Sequence, residues 1–283
     1  MQYGIILSNS LKGNFMKKIK NNWLNGFFRA WEMLFYFAID GYFTKFITIE
    51  KNKCRGVQVL TGMLSTAFVS GLFLVLLSWI LSTLAGGLPG AVISAFAIVL
   101  LLLWGDHAGG ITAVTSLTVQ KLDGRKFSEI LPALETDPKE ISSAPGSAIF
   151  AILIILKLAV MYVIVRSGCL HMLILILLAG AFTQAFILNS HTGSGAFLGF
   201  DKPSDRNIFY ICAIVMLLAG CKFNLMSALA FFGGIFLWNY WIKEKFIKLP
   251  GGKSDAALTF YGEIATFTAG LIAFIYSAGN LSN

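Results

Sequence analysis

Charge is the scarcest commodity in this chain. Asp, Glu, Lys and Arg together make up 13% of its 283 residues, about half the share found in soluble domains. That shortage excludes an ordinary soluble globular protein. Six prolines leave long stretches in which a helix need not break. The three histidines and four cysteines form no HExxH, no CxxC and no Cys/His metal spacing, so no zinc site or dithiol centre is proposed. Cys54, Cys169, Cys212 and Cys221 read as small apolar packing residues. No Ser-His-Asp or Cys-His arrangement is present, and GSG at 193–195 is not GxSxG. The N-terminus lacks a basic region and a cleavage site of the secretory kind. Internal repeats and low-complexity tracts are also missing.

Hydrophobic residues, at 57%, fill the space that charge vacates. Apolar runs approach or exceed the roughly 20 residues that cross a 30 Å hydrocarbon core, and they recur at about 57–84, 91–104, 146–166, 170–189, 208–221, 223–242 and 257–278. The pattern predicts an all-α, polytopic integral membrane protein with about seven transmembrane helices. An interfacial helix is expected before them at 22–48, where Arg29, Glu32, Asp40 and Lys45 interrupt an aromatic-rich stretch. Residues 1–21 read as a disordered extension or a misassigned start, because Met16-Lys17-Lys18 resembles a bacterial membrane-protein start better than Met1 does. The remainder, 22–283, reads as one helical membrane domain.

A formal net charge of +8 is better explained by the positive-inside bias than by nucleic acid. Alternating the spans puts polar loops at 105–145, 190–207 and 243–256 on one side, with the basic N-terminal region. Lys/Arg bias makes that side the cytoplasm, leaving the C-terminus outside. The expected setting is a bacterial inner membrane, with the lipid bilayer as partner, no nucleic acid, and self-association left open.

Two polar features stand out against this apolar background. Lys157 sits in the middle of AIFAILIILKLAVMYVIV, where a charge costs at least about 2.5–3.5 kcal/mol on insertion scales. It therefore calls for an interior partner, and Glu263 and Asp255 are the candidates. The second feature, LPGGKSDAALTFYGE at 249–263, gathers glycines, a cation, a hydroxyl and two acids at the mouth of the last span. Gly251, Gly252, Lys253 and Ser254 suit a phosphate group, with backbone N–H groups at a helix start beside a lysine and a hydroxyl. The competing reading is a glycine turn with Ser254 or Asp255 as N-cap. Asp106-His107, at the end of the second run, is a divalent-cation candidate or a solvated helix end.

Taken in order, these pieces resemble the cobalamin-5'-phosphate synthase family, the adenosylcobinamide-GDP ribazoletransferases. LPGGKSDAALTFYGEIATF is similar to the family's C-terminal GG-x-T-G-D-x-x-G-A-x-x-E-x-x-E segment, with Gly251, Gly252, Ser254 and Glu263 on matching positions. Asp255 falls one residue early, and Thr266 replaces the second glutamate. LETDPKEISSAPGSAIFAILIILKLAV resembles the loop and span that carry the family's central lysine, placing Asp137, Gly146 and Lys157. SHTGSGAFLGFDKPSDRN is similar to its glycine-rich loop, and Arg55-Gly56 to the start of its first span. The acidic motif D-G-x-x-D-x-x-D-G should fall at LWGDHAGGITAV, where only Asp106 remains.

The resemblance implies a membrane transferase of vitamin B12 biosynthesis. Such an enzyme moves the phosphocobinamide part of adenosylcobinamide-GDP to α-ribazole or its 5'-phosphate and releases GMP. It implies Mg²⁺ held by Asp106 and Asp137, and phosphate cradled by Gly251, Gly252, Lys253 and Ser254. Lys157, Asp255 and Glu263 would serve catalysis, Lys157 and Glu263 as an interior pair that positions the loop. Two other readings stay open: a catalytically impaired homologue acting as a membrane scaffold or corrinoid-binding subunit, and a small-molecule transporter suggested by Lys157 in mid-span.

Overall fold

A computed structural model describes residues 17–18, 23–24, 26–28, 30, 47–48, 56–103, 106–134, 143–189, 203–222, 225–252 and 254–281. Helices account for nearly all of them: α1 (Gly56–Ala85), α2 (Gly87–Leu103), α3 (Asp106–Leu122), α4 (Phe127–Ala133), α5 (Ala144–Arg166), α6 (Met172–Asn189), α7 (Pro203–Gly220), α8 (Leu225–Lys245) and α9 (Asp255–Leu281). A two-residue parallel bridge pairs Lys17 with Ile47 and Lys18 with Thr48. The all-helical expectation holds at this level.

Among the described residues three helices are long and apolar enough to cross a membrane: Gly56–Ala85, Ala144–Arg166 and Ala256–Gly279. Gly87–Leu103 and Met172–Leu188 are apolar but shorter. The other two expected spans form α7 and α8. Large side chains such as Phe73, Trp79, Leu84, Ile155, Leu237 and Ile275 lie more than half exposed on these helices. In water such a surface would drive association; against lipid tails it is the ordinary outer face of a helical bundle.

Local signals in the sequence set the register of α5, which carries Lys157. Ser143 caps the start, its Oγ accepting from the Gly146 N–H at 3.1 Å, with Pro145 just inside. The Ser-Gly-Cys turn closes the other end. Gly168 takes φ +71, its N–H donates to the Val165 carbonyl, and the Cys169 N–H reaches back to Ile164. That is a Schellman stop. At 1.5 Å per residue, Lys157 lies about 20 Å beyond the cap and about 14 Å before Arg166, so its register is interior.

α6 occupies the centre of the bundle. All residues at 173–185 are buried, as a helix apolar on every side requires. It packs against α9 through a reciprocal fit of glycines. A Cβ on Gly180 would strike Thr266, and one on Gly262 would meet Gln184 Nε2 at 2.6 Å. As one position advances along α6 its partner recedes along α9, so the two helices run antiparallel. Small residues here bring the backbones close enough for dispersion contacts that lipid cannot supply. An aromatic ladder, with Phe182 stacked on Phe209 at 5.7 Å and edge-on to Phe232 at 5.8 Å, ties α7 and α8 to α6.

The structure corrects one assignment. The interval 105–145 is not a plain polar loop, because α3 and α4 fill its first two-thirds. α3 contacts α9, α5 and α2, and Ile111, Thr115, Ser116, Leu117, Val119 and Gln120 are buried in it. Its hydroxyl and amide groups bond largely along the helix: Thr118 Oγ1 donates to Val114 O at 2.7 Å, and Gln120 Nε2 to Ser116 Oγ at 3.3 Å. Polar residues with local partners can face a protein interior, which hydropathy reads as loop. The expected loop at 190–207 gives way to α7 at Pro203, and its 190–202 portion lies outside the described residues. So does residue 137.

Little of the expected interfacial helix at 22–48 is described, but its residues at 23–30 that are described are helical, and Gly26 and Ala30 lie against α1. A Cβ on Gly62 would sit 2.6 Å from the Gly26 carbonyl oxygen, and one on Gly26 2.6 Å from that of Gln58. Gly62→Val is expected to cost about 1–3 kcal/mol by overpacking and to free this segment. Amide hydrogen exchange at 23–30 checks it; unchanged protection would mean the contact holds nothing in place.

Candidate functional site

Helix α9 carries the site inward from the glycine turn. Ser254 caps it, Oγ accepting from the Ala257 N–H at 3.1 Å. Glu263 follows about 13 Å deeper at helical rise. There it forms an ion pair with Lys157 of α5; the two side chains are 4% and 5% exposed. The interior cation thus meets one of the two acids expected for it. Breaking water contact around two charges is costly, and the direct pairing is what offsets that cost.

Glu263 also presses on α3. A Cβ on Gly110 would lie 2.7 Å from Glu263 Cβ and 3.2 Å from its Oε2. Only a glycine lets α3 pass so close to this carboxylate. Three separate stretches therefore meet at one point: Gly110 from LWGDHAGGITAV, Lys157 from the α5 stretch, and Glu263 from the C-terminal stretch. Gln184, Thr266 and Thr183 are buried on the neighbouring faces, and Thr266 Oγ1 donates to Gly262 O at 2.8 Å.

The glycine turn is fastened from two sides. Buried Tyr261 of α9 reaches back with its hydroxyl to donate to Gly252 O at 3.2 Å. Gly251, at φ +72, packs against the backbone of Leu131 and Pro132 of α4. The Gly252 N–H donates to Leu249 O at 3.0 Å and the Ser254 N–H to Gly251 O at 3.1 Å. These two donors, with the Ser254 hydroxyl as cap, are engaged inside the turn. The geometry fits the N-capped glycine turn more directly than an open phosphate cradle, which would need those N–H groups to turn outward.

Of the other predicted residues, Asp255 opens α9 and Asp106 opens α3, while their side chains lie outside the described set. Lys253 and Asp137 lie wholly outside it. Among the described residues no three His, Cys, Asp or Glu side chains converge as metal ligands. Glu263, a buried acid, already has its charge matched by Lys157. The described residues do not compose a Mg²⁺ site.

Sequence reasoning missed Gly110, Tyr261 and the Gly180–Thr266 and Gly262–Gln184 contacts. The four-residue spacing of small residues, Gly262 with Thr266, is the signal that would have marked an interface. No family model, curated protein or solved structure matches this chain.

Proposed function

We propose that this protein is a membrane transferase of the adenosylcobinamide-GDP ribazoletransferase type, acting on a pyrophosphate-linked corrinoid at the cytoplasmic face of a bacterial inner membrane. One observation supports the reading above others. Two stretches that carry the family likeness, and the one where its acidic motif should fall, are distant in sequence and come together at Lys157, Glu263 and Gly110. The reaction would join an α-ribazole oxygen to phosphorus as the bond to GMP breaks, and its main demands are alignment and neutralisation of anionic oxygens. In this chain the Lys157–Glu263 pair anchors α9 from inside, while Tyr261 and α4 hold the glycine turn at its mouth. In sequence, Lys243, Lys245, Lys248 and Lys253 flank this turn and would add positive charge to the segment. Any Mg²⁺ would fall to Asp106 and Asp137, the positions that the resemblance gives.

Expression in a host lacking its own synthase tests this directly. Wild type is expected to restore cobalamin-dependent growth, and Asp137→Ala to abolish it at unchanged protein level. Failure of wild type to rescue, with the protein present in the membrane, overturns the enzyme reading. The occupied donors of the glycine turn favour one alternative, a corrinoid-binding subunit without turnover. Binding of the GDP-linked corrinoid without rescue would select it.

A further inference from the structure

Helices α6, α8 and α9 leave between them a groove of about 930 Å³, at the upper end of small-ligand sites. It is separate from the Lys157–Glu263 centre. Leu237, Ile272 and Tyr276 on its rim are more than half exposed, so it opens sideways to the surroundings of the bundle. Its walls are apolar for most of their length. The Thr268 hydroxyl is satisfied within α9, donating to Ile264 O at 2.8 Å. A Cβ built on Gly234 or its neighbour Gly233 meets nothing within 4 Å, so α8 stands off from its neighbours here. Along α9 the lining covers positions 265–276, about 16 Å at helical rise, close to half the hydrocarbon thickness of a bilayer.

The groove is asymmetric in charge. Among the described residues no acidic side chain lines it, and the one formal cation, Lys222, stands at the end near the α7–α8 turn, beside His171 of the α5–α6 turn. Burial, and then the Lys222 charge, hold the His171 imidazole below its usual range, so it is neutral at pH 7. Its Nδ1 is shielded from water and hydrogen-bonds to none of the described residues. Lys222 itself is exposed and takes φ +54, an unfavourable conformation for a lysine. A long apolar trough one leaflet deep, with a cation and a neutral imidazole at its headgroup end, has the chemistry of an anionic amphiphile site.

We propose that this groove holds an acyl chain of an anionic phospholipid from the bilayer, with the headgroup phosphate against Lys222 and His171. The turn at Lys222 lies at the end of α8 opposite the glycine turn, so the lipid belongs to the leaflet facing away from it.

Native mass spectrometry of the intact protein in mild detergent, with phosphatidylglycerol and phosphatidylcholine of matched chains, tests the assignment. Wild type is expected to retain phosphatidylglycerol about five-fold better, the preference one lysine confers near a membrane surface. Lys222→Gly removes the charge while suiting the left-handed backbone and should erase the preference; Lys222→Arg should keep it. Gly234→Phe, which fills open space without meeting backbone, should lower retention of both lipids. Equal retention by wild type, a preference that survives Lys222→Gly, or displacement of the lipid by inorganic phosphate would each overturn the proposal. None of these results depends on whether the protein is a transferase.

Discussion

Glu263→Gln is expected to destabilise the folded protein by about 3–5 kcal/mol, the usual result of stranding one member of a buried ion pair. The amide keeps the shape of the carboxylate, so packing against Gly110, where an added Cβ would lie 2.7 Å from Glu263 Cβ, is preserved. What is lost is the charge opposite Lys157. With its side chain 5% exposed, and with about 14 Å of helix between it and the nearer end of α5, Lys157 cannot reach water cheaply by snorkelling. The melting midpoint in detergent should fall by roughly 10 °C. Lys157→Met in the Glu263→Gln background removes the stranded charge and should recover most of the loss. A double-mutant cycle then yields the coupling between the two positions. A Glu263→Gln protein that melts with wild type would mean that α5 and α9 are held by apolar packing alone. The experiment separates anchoring from chemistry: a double variant that folds and rescues growth would place Lys157 and Glu263 outside the reacting centre.

What the sequence disclosed and what it hid divide along a physical line. Lys157 was legible because a charge inside eighteen residues of apolar helix has few affordable surroundings, and each of them calls for a partner. The ends of α5 and the start of α9 are legible because Ser143, Gly168 and Ser254 satisfy backbone groups within a few residues of themselves, while Pro145 has no N–H to leave unpaired in the first turn. The helix α3 was hidden. Its Thr, Ser and Gln side chains are as polar as those of a loop, and only the tertiary structure shows them buried against α9 and α5. The central position of α6 was hidden for the opposite reason. Leucine facing lipid and leucine facing protein read alike, so hydropathy distinguishes neither a buried helix from a lipid-facing one nor their neighbours. The close contacts at Gly110, Gly180 and Gly262 need both partners at once, and those partners lie more than seventy residues away. The turn before Asp255 is legible as polar and glycine-rich, but its fastening by Tyr261 and α4 depends on a short helix in a stretch polar enough to pass for a loop.

That fastening gives the second large effect. Gly251→Val is expected to cost about 2–5 kcal/mol, summing left-handed strain and overpacking. At φ +72 a β-branched residue is strongly disfavoured, and its Cβ would run into the peptide joining Leu131 to Pro132. The obstacle is backbone, so no rotamer change on α4 can relieve it; the turn or α4 must move. Gly124 supplies the internal control, since it has φ +81 with nothing within 4 Å of a built Cβ. Gly124→Val should therefore show the strain alone, about 1–2 kcal/mol. Gly251→Asn, which tolerates a positive φ, keeps the collision and drops most of the strain. Thermal melting ranks the three, and limited proteolysis at 246–254 reports whether the turn has left α4. Equal losses at Gly251 and Gly124 would show that the turn is not docked. If Gly251→Asn instead exposes the turn to protease while α9 stays folded, the mouth of the site moves independently of its Lys157–Glu263 anchor. Loss of rescue in that variant would then assign the functional need to the turn itself.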